Sequence, residues 1–378
     1  MSPMILTNLR LILRDEVIDG TLIVHGTEIA DIQPGRSHAA GAIDGDGDYL
    51  MPGVVDLHTD NLERQVQPRI FARWPSRSAM FAHDAQCAVA GVTTVFDSLC
   101  LGDLGFNENR MRTFREGVAD LEALAGTDAL KSQHFLHLRC EMPAIDVLDL
   151  LEPVADHPLV QMVSLMDHSP GVGQYADIER YRAFRRREGS TEAAIDERIV
   201  SVLEQRARYR APNRAAILAR IAHRNLALAS HDDETEAEIA ANIADGIMIS
   251  EFPVRLAAAR AAHAGGMTTI AGAPNIVRGG SHSGNVDAAE LVRAGVVDAF
   301  ASDYVPAALV EAAFICADTT GITLPQAVAM LTDNPARMGK LPDRGRLEAG
   351  LRADLVRIRR HAGHPVVRAV WCAGERVA

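Results

Sequence analysis

Residues 51–61, MPGVVDLHTDN, join a short apolar strand pattern to two polar side chains at its end. Because successive side chains of a β-strand point to opposite faces, His58 and Asp60 are predicted to face the same side. An imidazole and a carboxylate held side by side can chelate one divalent cation. Taken alone, the pair is equally well explained as an ordinary polar strand end, so its meaning depends on the rest of the chain.

An apolar, β-branched run followed by a helical stretch recurs through the middle of the chain. Eight such runs occur, at residues 53–60, 92–99, 134–141, 160–169, 226–233, 246–253, 268–275 and 298–304. Eight buried strands separated by helices predict an α/β fold with a (β/α)8 barrel, a TIM-like barrel. The main competitor is a doubly wound open sheet, and no strand is followed by the GxGxxG pattern that would favour it.

Both ends of the chain carry short alternating runs broken by Gly and Asp-Gly turns, which is the pattern of β-strands. We therefore predict a small β-sandwich formed by both termini, residues 1–52 and 341–378, beside a barrel of residues 53–340. The length of 378 residues suits this division, because such a barrel takes roughly 250 residues.

The composition limits the partners and the compartment. A net charge of −12 disfavours nucleic acid and anionic membranes as partners, although a local basic patch can still bind a phosphorylated small molecule. Five widely spaced cysteines without a CxxC pair are typical of reduced thiols. We recognise neither a secretory signal nor a bilayer-spanning apolar stretch, so we expect a cytoplasmic protein. A homo-oligomer is left open.

The third run places three ionisable side chains on one face of its strand, His137, Arg139 and Glu141. Glu141 lies at the predicted tip of the strand, where it can ligate or bridge metal ions. His137 is better explained as a hydrogen-bonded core histidine. For Arg139, a contact with substrate and an ion pair with a carboxylate are equally supported.

Two later runs end in histidine, at His168 and His231. Each of them alone would more often be a core residue, but together with the earlier candidates they indicate metal ligands. A metal-bound imidazole usually donates its other N–H to a carboxylate. Three acidic residues lie beside these histidines and can take that part: Asp167, Asp232 and Asp233.

The last run ends in ASDY, residues 301–304. Asp303 can contact a metal there and accept a proton from water, whose pKa a divalent cation lowers to about 7. Imidazole and oxygen ligands favour zinc, manganese or iron, as one or two ions. Asp303 is thus the predicted catalytic residue. The predicted metal ligands are His58, Asp60, Glu141, His168, His231 and Asp303.

Residues 272–295, GAPNIVRGGSHSGNVDAAELVRAG, follow the seventh run and resemble a phosphate-binding loop. Glycines allow close backbone approach, and the N–H groups at a helix start attract anions. Barrel enzymes often bind phosphate in the loops after strands seven and eight, although a plain flexible loop remains the alternative. The substrate-binding candidates here are Arg278, Gly279, Gly280, Ser281, His282, Ser283 and Asn285, to which Arg139 is added from the third run.

The segments PGVVDLHTD, GVTTV, LTDNPAR and GLRADLV together resemble the amidohydrolase superfamily over nearly the whole chain. That resemblance implies a barrel, a small β-sandwich made from both termini, and one or two metal ions. The sequence departs from the family in two places. The usual HxH on the first strand is His58-Thr59-Asp60, and Glu141 would take the place of the usual bridging carboxylated lysine.

A closer resemblance rests on DLHTDN, HLRCE, SLMDHSPG, LASHDD, EFP, ASDY and the specific GAPNIVRGGSHSGN. These segments are similar to the diphosphatases of the carbon–phosphorus lyase pathway of phosphonate metabolism, almost end to end. The resemblance implies hydrolysis of α-D-ribose 1-methylphosphonate 5-triphosphate to the 5-phosphate and pyrophosphate, by a metal-activated water with Asp303 as base. Arg278 and the Gly-rich loop would then stabilise the leaving pyrophosphate. Two alternatives are an amidohydrolase acting on a C–N bond and a metal-free scaffold.

Overall fold

The computed structural model describes residues 3–69, 72–105, 108–281 and 284–378. Its strands form two sheets, one made from both ends of the chain and one from the middle. The strands of the N-terminal part are β1 (Met4–Ile12), β2 (Val17–His25), β3 (Glu28–Pro34), β4 (Ile43–Asp44) and β5 (Tyr49–Pro52).

The second sheet consists of eight parallel strands that neighbour one another in chain order. They are β6 (Val54–Thr59), β7 (Val92–Leu101), β8 (Gln133–Glu141), β9 (Val160–Met166), β10 (Ala227–His231), β11 (Ile249–Glu251), β12 (Thr268–Gly272) and β13 (Ala299–Ala301). All eight strand runs expected from the sequence are confirmed. Most of their residues are buried, because helices cover the sheet outside and side chains fill it inside.

The sheet closes into a barrel just beyond its two edge strands. Thr59 forms a parallel bridge with Asp303. The backbone N–H of Asp303 donates to the carbonyl of His58 at 3.0 Å, and the N–H of Asp60 donates to the carbonyl of Asp303 at 2.8 Å. The residues that complete the barrel are therefore the same ones that the sequence assigns to the site.

Helices connect the strands and surround the barrel. They are α1 (Asn61–Val66), α2 (Ser76–Val89), α3 (Glu108–Leu124), α4 (Val147–Leu151), α5 (Ile178–Arg187), α6 (Glu192–Ile221), α7 (Glu236–Ala244), α8 (Leu256–Ala264), α9 (Ala273–Arg278), α10 (Ala288–Arg293), α11 (Ala308–Thr319), α12 (Leu324–Ala329) and α13 (Asp333–Met338). Several begin at a side-chain cap, such as the capping box of Thr235 and Glu238 before α7. Among these helices, none combines the length and apolar character needed to cross a membrane.

The terminal sheet is completed by β14 (Leu355–His361), β15 (His364–Cys372) and β16 (Glu375–Arg376). Its order is β16-β15-β14-β5-β1-β2-β3, with β4 beside β1, so strands from both ends of the chain pair directly. The sheet encloses an apolar core that includes Leu11, Leu22 and Trp371. The division of the chain into residues 1–52 plus 341–378 and residues 53–340 stays a prediction.

Candidate metal centre and active-site cavity

Three histidines meet at the carboxyl end of the barrel. His58 lies near the end of β6, His231 ends β10, and His168 follows β9 by two residues. The ring centroid of His231 is 5.5 Å from that of His58 and 5.6 Å from that of His168. The arrangement arises because the ends of parallel barrel strands converge on one face.

Each of these imidazoles has a carboxylate beside its Nδ1 atom. His58 Nδ1 is 3.0 Å from a Glu251 oxygen, and His168 Nδ1 is 2.6 Å from Glu141 Oε2. His231 Nδ1 lies 3.1 Å from an Asp232 oxygen. This is the distance of an ion pair, but the two groups are not aligned as a hydrogen bond requires. A carboxylate on Nδ1 fixes the ring and leaves the Nε2 lone pair for a metal.

The Nε2 atom of His58 has the character of a metal ligand. His58 Nε2 is buried and lacks a hydrogen-bond partner among the described residues, as does Glu251 Oε2. Burial lowers the pKa of His58 well below its usual value, which holds the ring in the neutral form that binds metals. His231 Nε2 accepts only a long contact from the Arg139 guanidinium, at 3.4 Å. A buried imidazole nitrogen and a buried carboxylate oxygen that lack partners are both donors that a divalent cation accepts.

The ligand atoms of these residues form two compact groups. In each group, one atom from every member lies within 4.8 Å of the others. The groups share His231 and consist of His58, His231 and Glu251, and of His168, His231 and Asp232.

Asp60 and Asp303 face the same cavity, brought together by the closure of the barrel. Burial raises the pKa of both carboxyl groups, and for Asp60 repulsion from Asp303 raises it further. A bound cation would reverse this tendency, because a positive charge favours the ionised carboxylates. Asp303 also has a left-handed backbone, with φ of 55°.

His137 and Arg139 differ in their surroundings. His137 is fully buried and contacts the Leu57 carbonyl and the hydroxyls of Ser98 and Ser164 at 2.9–3.0 Å. Burial lowers its pKa to about 3, so it is a neutral core histidine, in agreement with the sequence interpretation. Arg139 lines the cavity, and its guanidinium lies 3.5 Å from Asp60.

Glu141 occupies a different position from the other predicted ligands. Its Oε1 accepts from the backbone N–H of His168 at 2.8 Å, and its Oε2 accepts from the ring of the same residue. It lies outside both groups of candidate ligand atoms. These contacts are those of a residue that orients His168. The resemblance implied that Glu141 bridges two metal ions. That role stays a prediction, and none of the described contacts supports it.

The carboxylates beside the histidines are only partly those that the sequence singled out. Of the three acidic candidates, Asp232 contacts His231, whereas Asp167 pairs with Arg206 and Arg210, both on α6. Asp233 binds neighbouring hydroxyl and amide groups instead. Glu251 was missed as a site residue. The sequence could have indicated it, because Glu251 ends its strand, β11, as His231 ends the preceding strand, β10.

A cavity of about 490 Å³ opens above the histidines. Ser281 and Asn285 line it together with Arg139, as the sequence analysis expected of substrate-binding residues. Arg278 and Gly279 are exposed and Gly280 is half-buried, and these three are not among the described residues of the lining. His282 and Ser283 lie outside the described residues.

The predicted phosphate loop also differs locally from expectation. Its first part is helical, since α9 covers Ala273–Arg278. The later helix start, at α10, is capped by the Asp287 side chain, which accepts from the N–H of Ala289 at 2.9 Å. A carboxylate of the chain thus already accepts one N–H group at this helix start, and phosphate binding by the loop stays a prediction.

A second group of histidines and carboxylates is buried outside the cavity, between α2 and strands β7 and β8. We call His83, Asp84, Asp97 and His134 the α2 cluster. Asp97 accepts from His83 at 2.7 Å and from His134 at 2.8 Å, and the other nitrogen of His134 is 3.2 Å from Asp84. Asn61, the residue after Asp60, donates to the remaining nitrogen of His83 at 3.0 Å.

Comparisons with known proteins agree with this architecture. The α-D-ribose 1-methylphosphonate 5-triphosphate diphosphatase of Escherichia coli strain K12 is 43% identical over 377 residues, covering 99% of this chain and 100% of that protein. Among solved structures, a 5-methylcytosine deaminase from Klebsiella pneumoniae superimposes with a TM-score of 0.65 at 16% identity, covering 99% and 97% of the two chains. A dihydropyrimidinase from Brevibacillus agri gives 0.65 at 13% identity, covering 99% and 95%. At such low identities these two structures support the fold alone.

The family model described as the amidohydrolase family matches residues 88–378, which include His168, His231 and Asp303. The barrel, the terminal sheet and the histidines at the carboxyl ends of the strands agree with that match. The chain belongs to the amidohydrolase family.

Proposed function

We propose that the protein hydrolyses α-D-ribose 1-methylphosphonate 5-triphosphate to the 5-phosphate and pyrophosphate. The observation that carries the substrate is the end-to-end identity of 43% to the Escherichia coli diphosphatase of that name. The geometry supports the reaction class independently, because three histidines backed by carboxylates lie together and two of them, His168 and His231, line a cavity. Phosphonate catabolism would supply such a substrate.

The metal ligands that we propose are the Nε2 atoms of three histidines, with two carboxylates of the barrel closure: His58, His168, His231, Asp60 and Asp303. Glu141, Glu251 and Asp232 orient the imidazoles. A divalent cation held there, as one ion or two, would lower the pKa of a water molecule and offset phosphate charge. Nitrogen and oxygen donors suit zinc, manganese or iron.

Asp303 is the proposed general base. It lines the cavity, where its carboxylate can accept a proton from a water molecule held beside it. The water oxygen attacks the α-phosphorus, and the bond from that phosphorus to the oxygen bridging to the β-phosphorus breaks. Pyrophosphate leaves, and the 5-phosphate remains.

The substrate-binding residues that we propose are those of the predicted set that line the cavity, Arg139, Ser281 and Asn285. Arg139 is 5% exposed and carries a fixed positive charge at the cavity floor. A guanidinium in such a place binds phosphate oxygens through paired N–H groups. Ser281 and Asn285 offer neutral hydrogen-bonding groups.

We place the reaction in the cytoplasm. All five cysteines are unpaired thiols, and four of them are buried. Reduced thiols in this number are usual in a reducing compartment. The partner of the protein is then a phosphorylated small molecule, and a homo-oligomer stays a prediction.

The test is incubation of metal-replete protein with the triphosphate, followed by phosphorus NMR. Pyrophosphate together with the ribosyl 5-phosphate is the expected result, and a chelator-treated sample is the control. If the protein is shown to contain metal and does not turn over the triphosphate, the proposal is wrong. Hydrolysis of a C–N bond then becomes the preferred function.

A further inference from the structure

The two sides of the cavity differ in the distribution of arginines, which lie with the carboxylates of Asp60 and Glu63 on one side. Arg110, on α3, and Arg139, on β8, are the arginines among the described residues that line it. Strands β11 and β12 lie on the opposite side of the barrel from β7 and β8. The lining contributed after β12 includes the neutral polar residues Asn275, Ser281 and Asn285.

The two arginines lie at different depths. The Arg139 side chain is 6% exposed and lies 3.5 Å from Asp60, so it adjoins the candidate metal centre. Its Nε is buried without a partner among the described residues. The Arg110 side chain is 23% exposed and lies 3.3 Å from Glu63. Arg139 is therefore the more buried and Arg110 the more exposed of the two guanidinium groups in the lining.

A triphosphate needs positive charge along its whole length, whereas ribose hydroxyls need neutral donors and acceptors. Guanidinium groups bind phosphate oxygens in pairs, and amide and hydroxyl side chains exchange single hydrogen bonds with sugars. On the basis of the proposed function, we propose that the substrate lies across the cavity in one direction. Its leaving phosphates extend toward Arg110, and its ribose lies toward Asn275, Ser281 and Asn285.

This orientation revises an expectation from the sequence. Arg278 and the Gly-rich loop were expected to stabilise the leaving pyrophosphate. Arg278 is exposed and is not part of the described lining. Arg110 takes its place in the proposal as the residue that sets affinity for the leaving group.

The first experiment is calorimetric binding of inorganic pyrophosphate to the full-length protein as purified, with the metal content of every sample measured. We expect Arg110→Gln to weaken pyrophosphate binding about tenfold, the usual effect of losing a hydrogen bond between charged groups. Arg110→Lys keeps the charge and should weaken it less. The matched control is Arg112→Gln on the same helix, which is 63% exposed and paired with Glu116, and it should bind like wild type.

The second experiment measures product inhibition during turnover of the triphosphate. Arg110→Gln should raise the inhibition constant of pyrophosphate and leave that of the ribosyl 5-phosphate unchanged, whereas Asn285→Leu should do the reverse. The proposed orientation is overturned if Arg110→Gln affects the ribosyl product instead, or if both arginine variants bind pyrophosphate within twofold of wild type. Absence of turnover by the wild type would overturn the proposed function, and pyrophosphate binding, measured without turnover, still decides the orientation.

Discussion

The candidate metal centre and the α2 cluster contain the same kinds of residue and use them in opposite ways. In the candidate metal centre, His58 Nε2 and Glu251 Oε2 have no hydrogen-bond partner in the part of the chain that the structure describes, and the neighbouring His231 lines the cavity. In the α2 cluster, both ring nitrogens of His134 contact carboxylates, and Asp97 accepts from two imidazoles.

The residue types of the α2 cluster could hold a metal ion, but the distances between them are those of hydrogen bonds. A tetrahedral ion with bonds of about 2.0–2.1 Å would keep its ligand atoms about 3.3 Å apart. The contacts of Asp97 with His83 and His134 are 2.7 and 2.8 Å, which are hydrogen-bond lengths. Residue types alone therefore do not distinguish the two clusters, and the difference between them lies in the unsatisfied lone pairs of the candidate metal centre.

The largest expected effect is on turnover, from Asp303→Asn. The amide keeps the shape and the left-handed backbone but cannot accept the proton of water, so we expect kcat to fall about 1,000-fold. Circular dichroism and thermal melting should show an intact fold. Activity near the wild-type level in steady-state assays would remove Asp303 from the mechanism.

The second effect separates the two clusters by metal affinity. His58→Gln should weaken metal binding by more than about 100-fold, since loss of an orienting partner alone typically costs 10–100-fold. The matched variant, His83→Gln in the α2 cluster, should retain the wild-type metal content. Competition with a chelator and elemental analysis measure both. Equal loss of metal from the two variants would show that the α2 cluster is itself a metal site.

The third effect is a pH dependence of stability that belongs to the α2 cluster. Burial alone would lower the pKa of His134, but Asp97 and Asp84 outweigh it and raise the pKa from 6.5 to about 9. The resulting stabilisation of the folded state is complete below pH 6.5 and is lost as the pH rises through 9. The loss in the free energy of unfolding is about 3 kcal/mol.

Urea unfolding at pH 6.5 and pH 9 measures this loss. His134→Gln should be less stable at pH 6.5 and should lack the additional loss between the two values. A wild-type free energy of unfolding that stays level over this range would show that His134 is neutral in the folded protein. The unfolding curves of the wild-type protein at the two pH values are sufficient for this test even if the variant cannot be purified.

The smallest effect concerns Asn61, which joins the two regions. Asn61→Ala removes the hydrogen bond to His83 and should cost about 1–2 kcal/mol of stability, the usual cost of leaving a buried polar group unpaired. We expect kcat to change less than about tenfold, because Asp60 is held by the barrel closure. A loss of turnover as large as that of Asp303→Asn would mean that the two regions act as one unit.

The fold was predictable because its signals are local. Each barrel strand is a short apolar run, and a polar residue at its end marks the functional face. The same logic selected His58, His168, His231 and Asp303 as candidates, and they lie at or just after strand ends.

The parts of the candidate site that the sequence did not predict depend on which side chains meet across the barrel. The pairing of Glu141 with His168 and of Glu251 with His58 joins residues 27 and 193 positions apart, and no spacing rule encodes it. Arg110 lies on a helix whose sequence is that of an ordinary amphipathic surface element. The capping of α10 by Asp287 could have been read from the sequence, because Asp before a helix is a common N-cap.

Three residues at the ends of β10, β11 and β13 carry left-handed backbones, Asp232, Phe252 and Asp303, with φ of 58°, 54° and 55°. Such conformations cost non-glycine residues about 1–3 kcal/mol each, and Gly adopts them without that cost. A laboratory selection for heat resistance alone would therefore favour Gly at these positions and discard two carboxylates of the candidate site. We expect the variants selected in this way to be more thermostable and inactive. Thermostable variants would therefore have to be screened for turnover in every round.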